Sequence, residues 1–599
     1  MNTSKPFGVF LFLVFSTQLA FTQNRTITGT VTSASNDSAL FGVNIIVKGT
    51  SRGEQTDLNG TYSIDAKIGE VLVFSYIGQT TVEVLIGESD TINVSMTESV
   101  GVLDEVIIIA YGEQTKQKLV QSTSIVANRD IKDIPALAPQ ELLQGQAAGV
   151  QVVNSSGVLG SSPVIKIRGA ASLTSGGRPL VVVDGVPLDD TNRGFSLGSQ
   201  PLNPLGDINP NDIESFSILK DASATAIYGS RGANGVILIT TKKGRKNQPT
   251  RLSLNVSTSW NESTDQLDMM NADQFREYRL ITGLAQPGQD PETSFDWPGS
   301  VFRTGFSQQV QFNASGGGDQ TTFHISGTAL NEEGFLIGNT LKRLSGRINL
   351  EHEMNDWVKF GINLGVTRNN NDRLFTENSS RSLTSAYLIQ PWILPRDENG
   401  NFVSTGFAGN VIAAEELDIL YAETVRNIGN VFVELTPIKN LKFRSFFGID
   451  RSVYEEFSRA VEVNVSGGFA DDLVVQQNRF VFNNTLNYSK TFNATHDLAL
   501  TAGMSYEETD RRSIYVSGTG FLSDDQINVI SASTPGFSYN TTGGSRLVGY
   551  FGRANYAFKD KYIAEGSFRR DGSSKFGESN RYGTFYAFGA GWIISKESF

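Results

Sequence analysis

The sequence has no cysteine, only three histidines among 599 residues, and a deficit of positive charge, with Lys+Arg at 50 against Asp+Glu at 62. Without cysteine there is no disulfide scaffold and no thiolate metal site. Histidine at 324, 352 and 496 alone leaves few bases for a hydrolytic triad. A net charge of −12 disfavours nucleic-acid wrapping, whose affinity comes mainly from neutralised phosphates. Beyond the first two dozen residues, no run approaches the roughly 18 consecutive apolar residues that a membrane-spanning helix needs.

The first 23 residues differ from the rest. Lys5 precedes an almost entirely apolar stretch, Phe7 to Phe15, and the small residues Ala20 and Thr22 follow. This is too short to span a bilayer and reads as a signal peptide, 1–23, so export is expected. An exported chain without a spanning helix is either soluble or enters a membrane as a β-barrel. Gly at 60 and Phe at 38, with hydrophobic content of only 39%, suit a barrel, in which every second residue faces a polar lumen.

Residues 24–98 read as a small all-β module. Val43, Ile45 and Val47 alternate, as do Val71, Val73 and Ser75, and Asn59-Gly60 between two such runs predicts a hairpin turn. Asp57 and Asn59 before Gly60 suggest a calcium loop, but its remaining ligand positions are missing. Residues 115–245 mix helix and strand, an α+β pattern. Pro139 to Leu143 starts a short helix, Leu180 to Val183 is a buried strand turned by Asp184-Gly185, and Asp221 caps a short helix after the strand Ser215 to Lys220.

From 250 to 599 the period is two. Leu252, Leu254 and Val256 share a face, as do Leu344, Gly346, Ile348 and Leu350, and Phe360, Ile362, Leu364 and Val366. An array of soluble β-sandwiches would also alternate. The long strands and the aromatics near their ends, including Trp260, Tyr488, Tyr556, Tyr562 and Trp592, favour a transmembrane antiparallel barrel with interfacial girdles. The fold class expected is mainly β: an N-terminal module, an α+β domain and a barrel.

Catalytic patterns are weak. His352-Glu353 lacks the second histidine of a metalloprotease helix, and Gly49-Thr50-Ser51-Arg52-Gly53 lacks the strand-to-helix setting of a nucleophile elbow. No enzyme activity and no cofactor are expected. Leu103 to Gly112 stands out instead. Val106-Ile107-Ile108-Ile109 is an apolar β-forming run with no obvious hairpin partner, followed by polar residues. It reads as a strand available to another protein's sheet edge.

Asp104 to Gly112, Arg168-Gly169, Val182 to Pro187, Leu202 to Pro210 and above all Asp212 to Ile237, with Tyr228-Gly229-Ser230-Arg231-Gly232-Ala233-Asn234-Gly235, together resemble the SusC/RagA class of TonB-dependent outer-membrane transporters. The likeness implies a carboxypeptidase-regulatory-like β-sandwich at 24–98, a TonB-box-like segment at 103–112, a plug at 115–245 and a barrel from 250 onward. Plugged transporters close with about 22 strands. The 350 residues from Thr250 to Phe599 allow roughly 16 per strand and loop, so the barrel is expected to be incomplete.

The resemblance also implies a function. Asp104, Glu105, Val106, Ile107, Ile108 and Ile109 are the expected TonB-interacting residues, with ExbB and ExbD behind TonB. A SusD-like lipoprotein is the expected outer lid, and the cargo is an oligosaccharide or a peptide. Arg168 is expected at the substrate or at the contact between plug and barrel. Two alternatives remain: an outer-membrane receptor that captures ligand or signals without transport, and a non-transporting fragment.

Overall fold

The computed structural model describes residues 25–34, 38–50, 52–76, 79–97, 106–109, 112–115, 120–131, 134, 136–154, 156–169, 177–189, 202–375 and 382–597. The expected leader and the carboxylates Asp104 and Glu105 lie outside these residues. The chain divides into two units, residues 1–106 with 115–117, and residues 107–114 with 118–599.

In the first unit, Arg25–Ser33 pairs antiparallel with Thr61–Ala66 and parallel with Val94–Met96. A second sheet runs in the order Gly53–Gln55, Asn44–Val47, Val71–Ser75, Val82–Leu85. The inward residues of both sheets, among them Ile27, Val31, Ile45, Leu72 and Phe74, are fully buried. Each such side chain contributes roughly 1.5–3 kcal/mol by leaving water. Burial also pushes the Tyr62 hydroxyl up to about 12, and that hydroxyl donates to the Ile92 carbonyl at 2.8 Å.

Asn59-Gly60 does turn the chain, but not as a hairpin. The strand before it belongs to one sheet and the strand after it to the other. Asp57 Oδ1 accepts from the Asn59 and Thr61 amides at 2.9 and 2.8 Å, so the carboxylate is spent on the turn itself.

In the second unit, a five-stranded sheet runs Thr123–Ala127, Ile213–Leu219, Val236–Thr241, Leu180–Val183, Val186–Pro187, beside a two-stranded ladder of Val150–Val153 with Val164–Ile167. Leu180–Val183 and Val236–Thr241 are parallel, and the Asp184-Gly185 turn has both residues at positive φ, 47° and 89°. That geometry suits a two-residue hairpin. Asp221 does sit at the N-cap of the helix Ala222–Thr225, yet its side chain makes no cap bond. It accepts instead from the Ser122 amide at 2.7 Å and from Arg168. Pro139 to Leu143 forms only the 3₁₀ turn Glu141–Leu143.

Around this α+β body runs a thirteen-stranded antiparallel sheet, from Gln248–Asn261 at one end of the order to Tyr582–Trp592 at the other. The expected alternation is present, with its faces inside out. On Thr340–Asn355, Arg343, Ser345, Arg347 and Asn349 are buried, while Leu344 and Ile348 between them are 64% and 48% exposed. A soluble sheet buries its apolar face; here the apolar face looks outward and the polar face inward, as a lipid-embedded wall requires. Strand pairs meet in tight turns at one end, as at Asp560 between Phe558 and Tyr562, and the other end carries long loops such as 262–304 and 373–418. Short turns mark the periplasmic side and long loops the outer side.

Candidate functional site

The polar inner face of the wall meets the α+β body, and two of the motifs that carried the resemblance, Leu202 to Pro210 and the glycine-rich stretch Tyr228 to Gly235, lie at that meeting. From Leu202 to Asp212 the chain lies against the wall in two Pro-started 3₁₀ turns, each capped by an asparagine side chain, Asn203 and Asn209. Ser326 donates to Asp212 Oδ1 at 2.6 Å, Asn209 donates to Thr328 at 2.8 Å, and Asn369 donates to Asp207 Oδ1 at 2.5 Å.

Arg426 is the hub, at 1% exposure. Its guanidinium is bidentate to Asp450 of the neighbouring strand, both bonds at 2.8 Å, and reaches into the plug to the Pro204 carbonyl, the Asp189 carbonyl at 3.2 Å and Asp207 at 3.5 Å. Planar bidentate pairing of this kind is what arginine supplies and lysine does not. Nearby, Arg347 lies 3.5 Å from Asp184 and 3.6 Å from Asp212.

The glycine-rich Tyr228 to Gly235 stretch docks by the same means. Arg569 donates to the Ile227 carbonyl at 2.8 Å and pairs with Asp571 at 2.6 Å, and Arg231 pairs with Glu507 at 2.6 Å. Gly229 has φ 63°, and a Cβ there would run into Asp571, so backbone freedom and close approach both require glycine. Apolar packing also contributes: Ile428, Phe432, Phe446 and Val481 of the wall join the core of the body.

Toward the long-loop side, a cavity of about 300 Å³ opens between body and wall. The segment 156–163 and Leu202 to Asp207 line one side, and Arg343, Asn369, Asn371, Thr424 and Tyr454 line the other. Arg343 holds the rim by donating to the Leu137 carbonyl at 2.8 Å and to Asn369 at 3.0 Å. Asn371 donates to the Leu159 carbonyl at 3.0 Å, and its own buried carbonyl oxygen has no partner. Glu141 also lines this space, and burial pushes its carboxyl above the usual range. The lining mixes amides, both signs of charge and apolar surface. It suits a polar organic ligand held by hydrogen bonds.

The expected site residues that the structure describes have partners within the chain. Arg168, at φ 55°, pairs with Asp221 inside the body rather than with a wall residue. Val106–Ile109, read from sequence as unpartnered, pairs with Gly112–Thr115 in a two-stranded sheet. Sequence reasoning missed Arg343, Arg347, Arg426 and Arg569. Their signal was present, since each stands on the polar face of a strand whose other face is apolar.

Known proteins agree with this architecture. Residues 115–236 match the TonB-dependent Receptor Plug Domain and residues 27–108 the CarboxypepD_reg-like domain. The TonB-dependent receptor P3 of Formosa agariphila is 31% identical over 99% of this chain and 59% of its own length. The TonB-dependent receptor SusC of Bacteroides thetaiotaomicron is 29% identical over 97% of this chain and 59% of its own. The RagAB peptide importer in its open-open state superposes with a TM-score of 0.72 at 26% identity, over 82% of this chain and 60% of that one. The ferric citrate transporter FecA, at 10% identity and a TM-score of 0.52, shares the fold alone. The chain thus spans about three fifths of the length of these relatives. With a plug seated on the polar face of an inside-out antiparallel wall, and this similarity along nearly its whole length, the chain is SusC-like and has the fold of the TonB-dependent receptors of the outer membrane.

Proposed function

We propose that the protein imports an oligosaccharide or a peptide across the outer membrane, driven by TonB. The observation that carries this reading is the set of hydrogen bonds and ion pairs that Arg426, Arg347 and Arg569 make across the seal between plug and wall. Water replaces such bonds when the interface parts, whereas a wholly apolar seal would resist hydration. A plug held this way stays shut at rest and is released by force.

In this mechanism, ligand enters the cavity beside Asn371 and Arg343, under a SusD-like lipoprotein lid. Asp104, Glu105 and Val106 to Ile109 form the TonB docking strand, with ExbB and ExbD supplying energy from the inner membrane. Val106–Ile109 has one edge engaged by Gly112–Thr115, so TonB adds to the free edge or displaces that strand.

The test is uptake of labelled oligosaccharide and oligopeptide pools by cells carrying the full-length gene, with and without deletion of residues 104–109. Loss of uptake of one pool is expected and names the cargo. Binding without deletion-sensitive uptake would sink the transport reading in favour of capture or signalling.

A further inference from the structure

The wall does not hold the plug equally along its length. On later strands, Arg347, Arg426, Arg479 and Arg569 each bond or pair with a plug group. The first two strands, Gln248–Asn261 and Gly305–Gly317, carry no charge between Ser253 and Asn261 or between Ser307 and Ser315. Their inward residues over those spans are serine, asparagine and glutamine throughout. These side chains bond among themselves: Asn313 donates to Ser253 and Gln311 to Asn313, both at 3.3 Å, and Asn261 to Ser307 at 3.0 Å. Among the described residues, none of them bonds to the plug.

A second cavity, of about 1320 Å³, lies between these two strands and the plug. It runs from Asn261 and Glu332, near the long loops, to Ser315 and Arg245, near the short turns. Ser253 and Asn261 lie eight residues apart on their strand. At about 3.3 Å per residue and a tilt of about 40°, that is roughly 20 Å, most of an apolar band about 25 Å tall. Two groups on its lining residues have no partner, Glu332 Oε2 and His324 Nε2, on residues 6% and 4% exposed. A buried polar group left bare costs free energy that a hydrogen-bonding visitor recovers.

The segment 137–141 separates this chamber from the smaller cavity, since Leu137 and Glu141 line both. Leu137 packs against Leu159, Leu330 and Leu341, its carbonyl accepts from Arg343 at 2.8 Å, and its amide donates to Glu141 at 2.8 Å. On the chain, Thr123–Ala127 lies between the docking strand and this segment. It is an end strand of the plug sheet and is paired on one side only. Tension on the docking strand therefore reaches 137–141 through a weakly held strand, ahead of the plug groups fixed by arginines.

We propose that 137–141 is the gate between the two cavities, and that cargo crosses the wall through the chamber beside the first two strands while the plug stays docked on the arginine-bearing ones. The inference rests on the import reading above and supplies its route. Hydroxyl and amide side chains that exchange one hydrogen-bond partner for the next pass a hydrated chain along without trapping it.

The chain has no cysteine, so introduced pairs are its only thiols. Cells carrying the full-length protein are given the labelled oligosaccharide or oligopeptide pool whose uptake the deletion of residues 104–109 reduces. Leu137→Cys with Leu330→Cys, bridged by a short bismaleimide, should abolish that uptake. Val186→Cys with Ile428→Cys, bridged in the same way within the core that plug and wall share, should leave it unchanged. Ser257→Trp with Gln311→Trp fills the chamber and should abolish uptake while cargo binding persists. Val310→Trp, on the outward face of the same strand as Gln311, should change neither. Heat-modifiable migration on gels should confirm that every variant is folded. Uptake abolished by both bridges would mean that the plug leaves as a whole, and uptake that survives the first bridge or the filled chamber would place the route elsewhere. Either result overturns the proposal while import itself stands. If the deletion reduces uptake of neither pool, the import reading falls and the route falls with it.

Discussion

The N-terminal module and the wall are built from the same alternating β pattern, with opposite assignments. In the module, Ile27, Ile45 and Phe74 point inward to a dry core, while Leu58, at 80% exposure, is an isolated apolar residue outside. In the wall, Leu344, Ile348 and Leu364 point outward, while Arg347, Asn349 and Arg426 are buried. Alternation alone states that a strand has two unlike faces. Which face is the interior depends on the solvent outside, and for the wall that solvent is hydrocarbon.

The sharpest way to break this comparison is to remove a buried charge from the polar interior. Arg426→Met leaves Asp450 and Asp207 buried without their cation, and stripping one member of such a cluster costs about 3–5 kcal/mol. The unfolding midpoint in denaturant should fall accordingly. Arg426→Met combined with Asp450→Leu should recover part of the loss, because replacing a buried pair is cheaper than breaking it. A single variant as stable as wild type would show that the interior is already wet.

The outward faces give the next largest effect. Ile348→Arg puts a charge on the lipid-facing side of the wall, where the cost is about 2–4 kcal/mol at mid-depth. Leu58→Arg in the module should change stability by no more than about 0.5 kcal/mol, as surface substitutions usually do. Measured by folding yield into lipid vesicles, equal tolerance of the two substitutions would remove the distinction between the faces.

Turn chemistry should give a smaller effect. Asp57→Ala removes the acceptor for the Asn59 and Thr61 amides, and losing a turn hydrogen bond of this kind costs about 0.5–1.5 kcal/mol. Added calcium should not shift the melting temperature of the wild type, because the carboxylate is already engaged. A calcium-dependent rise abolished by Asp57→Ala would restore the metal-loop reading.

These particulars also show what the sequence made legible. The period of two, the aromatic strand ends and the Asp184-Gly185 turn were readable because each is a local preference. Asn59-Gly60 was misread as a hairpin because its local signal is the same whether the flanking strands pair with each other or with strands of two different sheets. Gly112–Thr115 went unseen as a partner for Val106–Ile109 because Gly-Glu-Gln-Thr has little β propensity. Arg168 and Asp221 lie 53 residues apart and Arg426 and Asp207 219 apart, so only the three-dimensional register joins them.

The smallest effect tests the cavity through its pH response. Burial raises the Glu141 carboxyl in the folded plug, so folding favours its protonated form. The stability this contributes is complete below the ordinary carboxylate value and is lost as pH rises through the raised one. Glu141→Gln fixes a neutral side chain that still accepts from the Leu137 amide, which Glu141 now does at 2.8 Å. The two proteins should therefore unfold together at acid pH and separate above the raised value, with Glu141→Gln the more stable at neutral pH. Melting temperatures measured from pH 4 to 8 decide the point. Curves that stay parallel across that range would mean that Glu141 is solvated in the folded protein and that the cavity is open to bulk water at this edge.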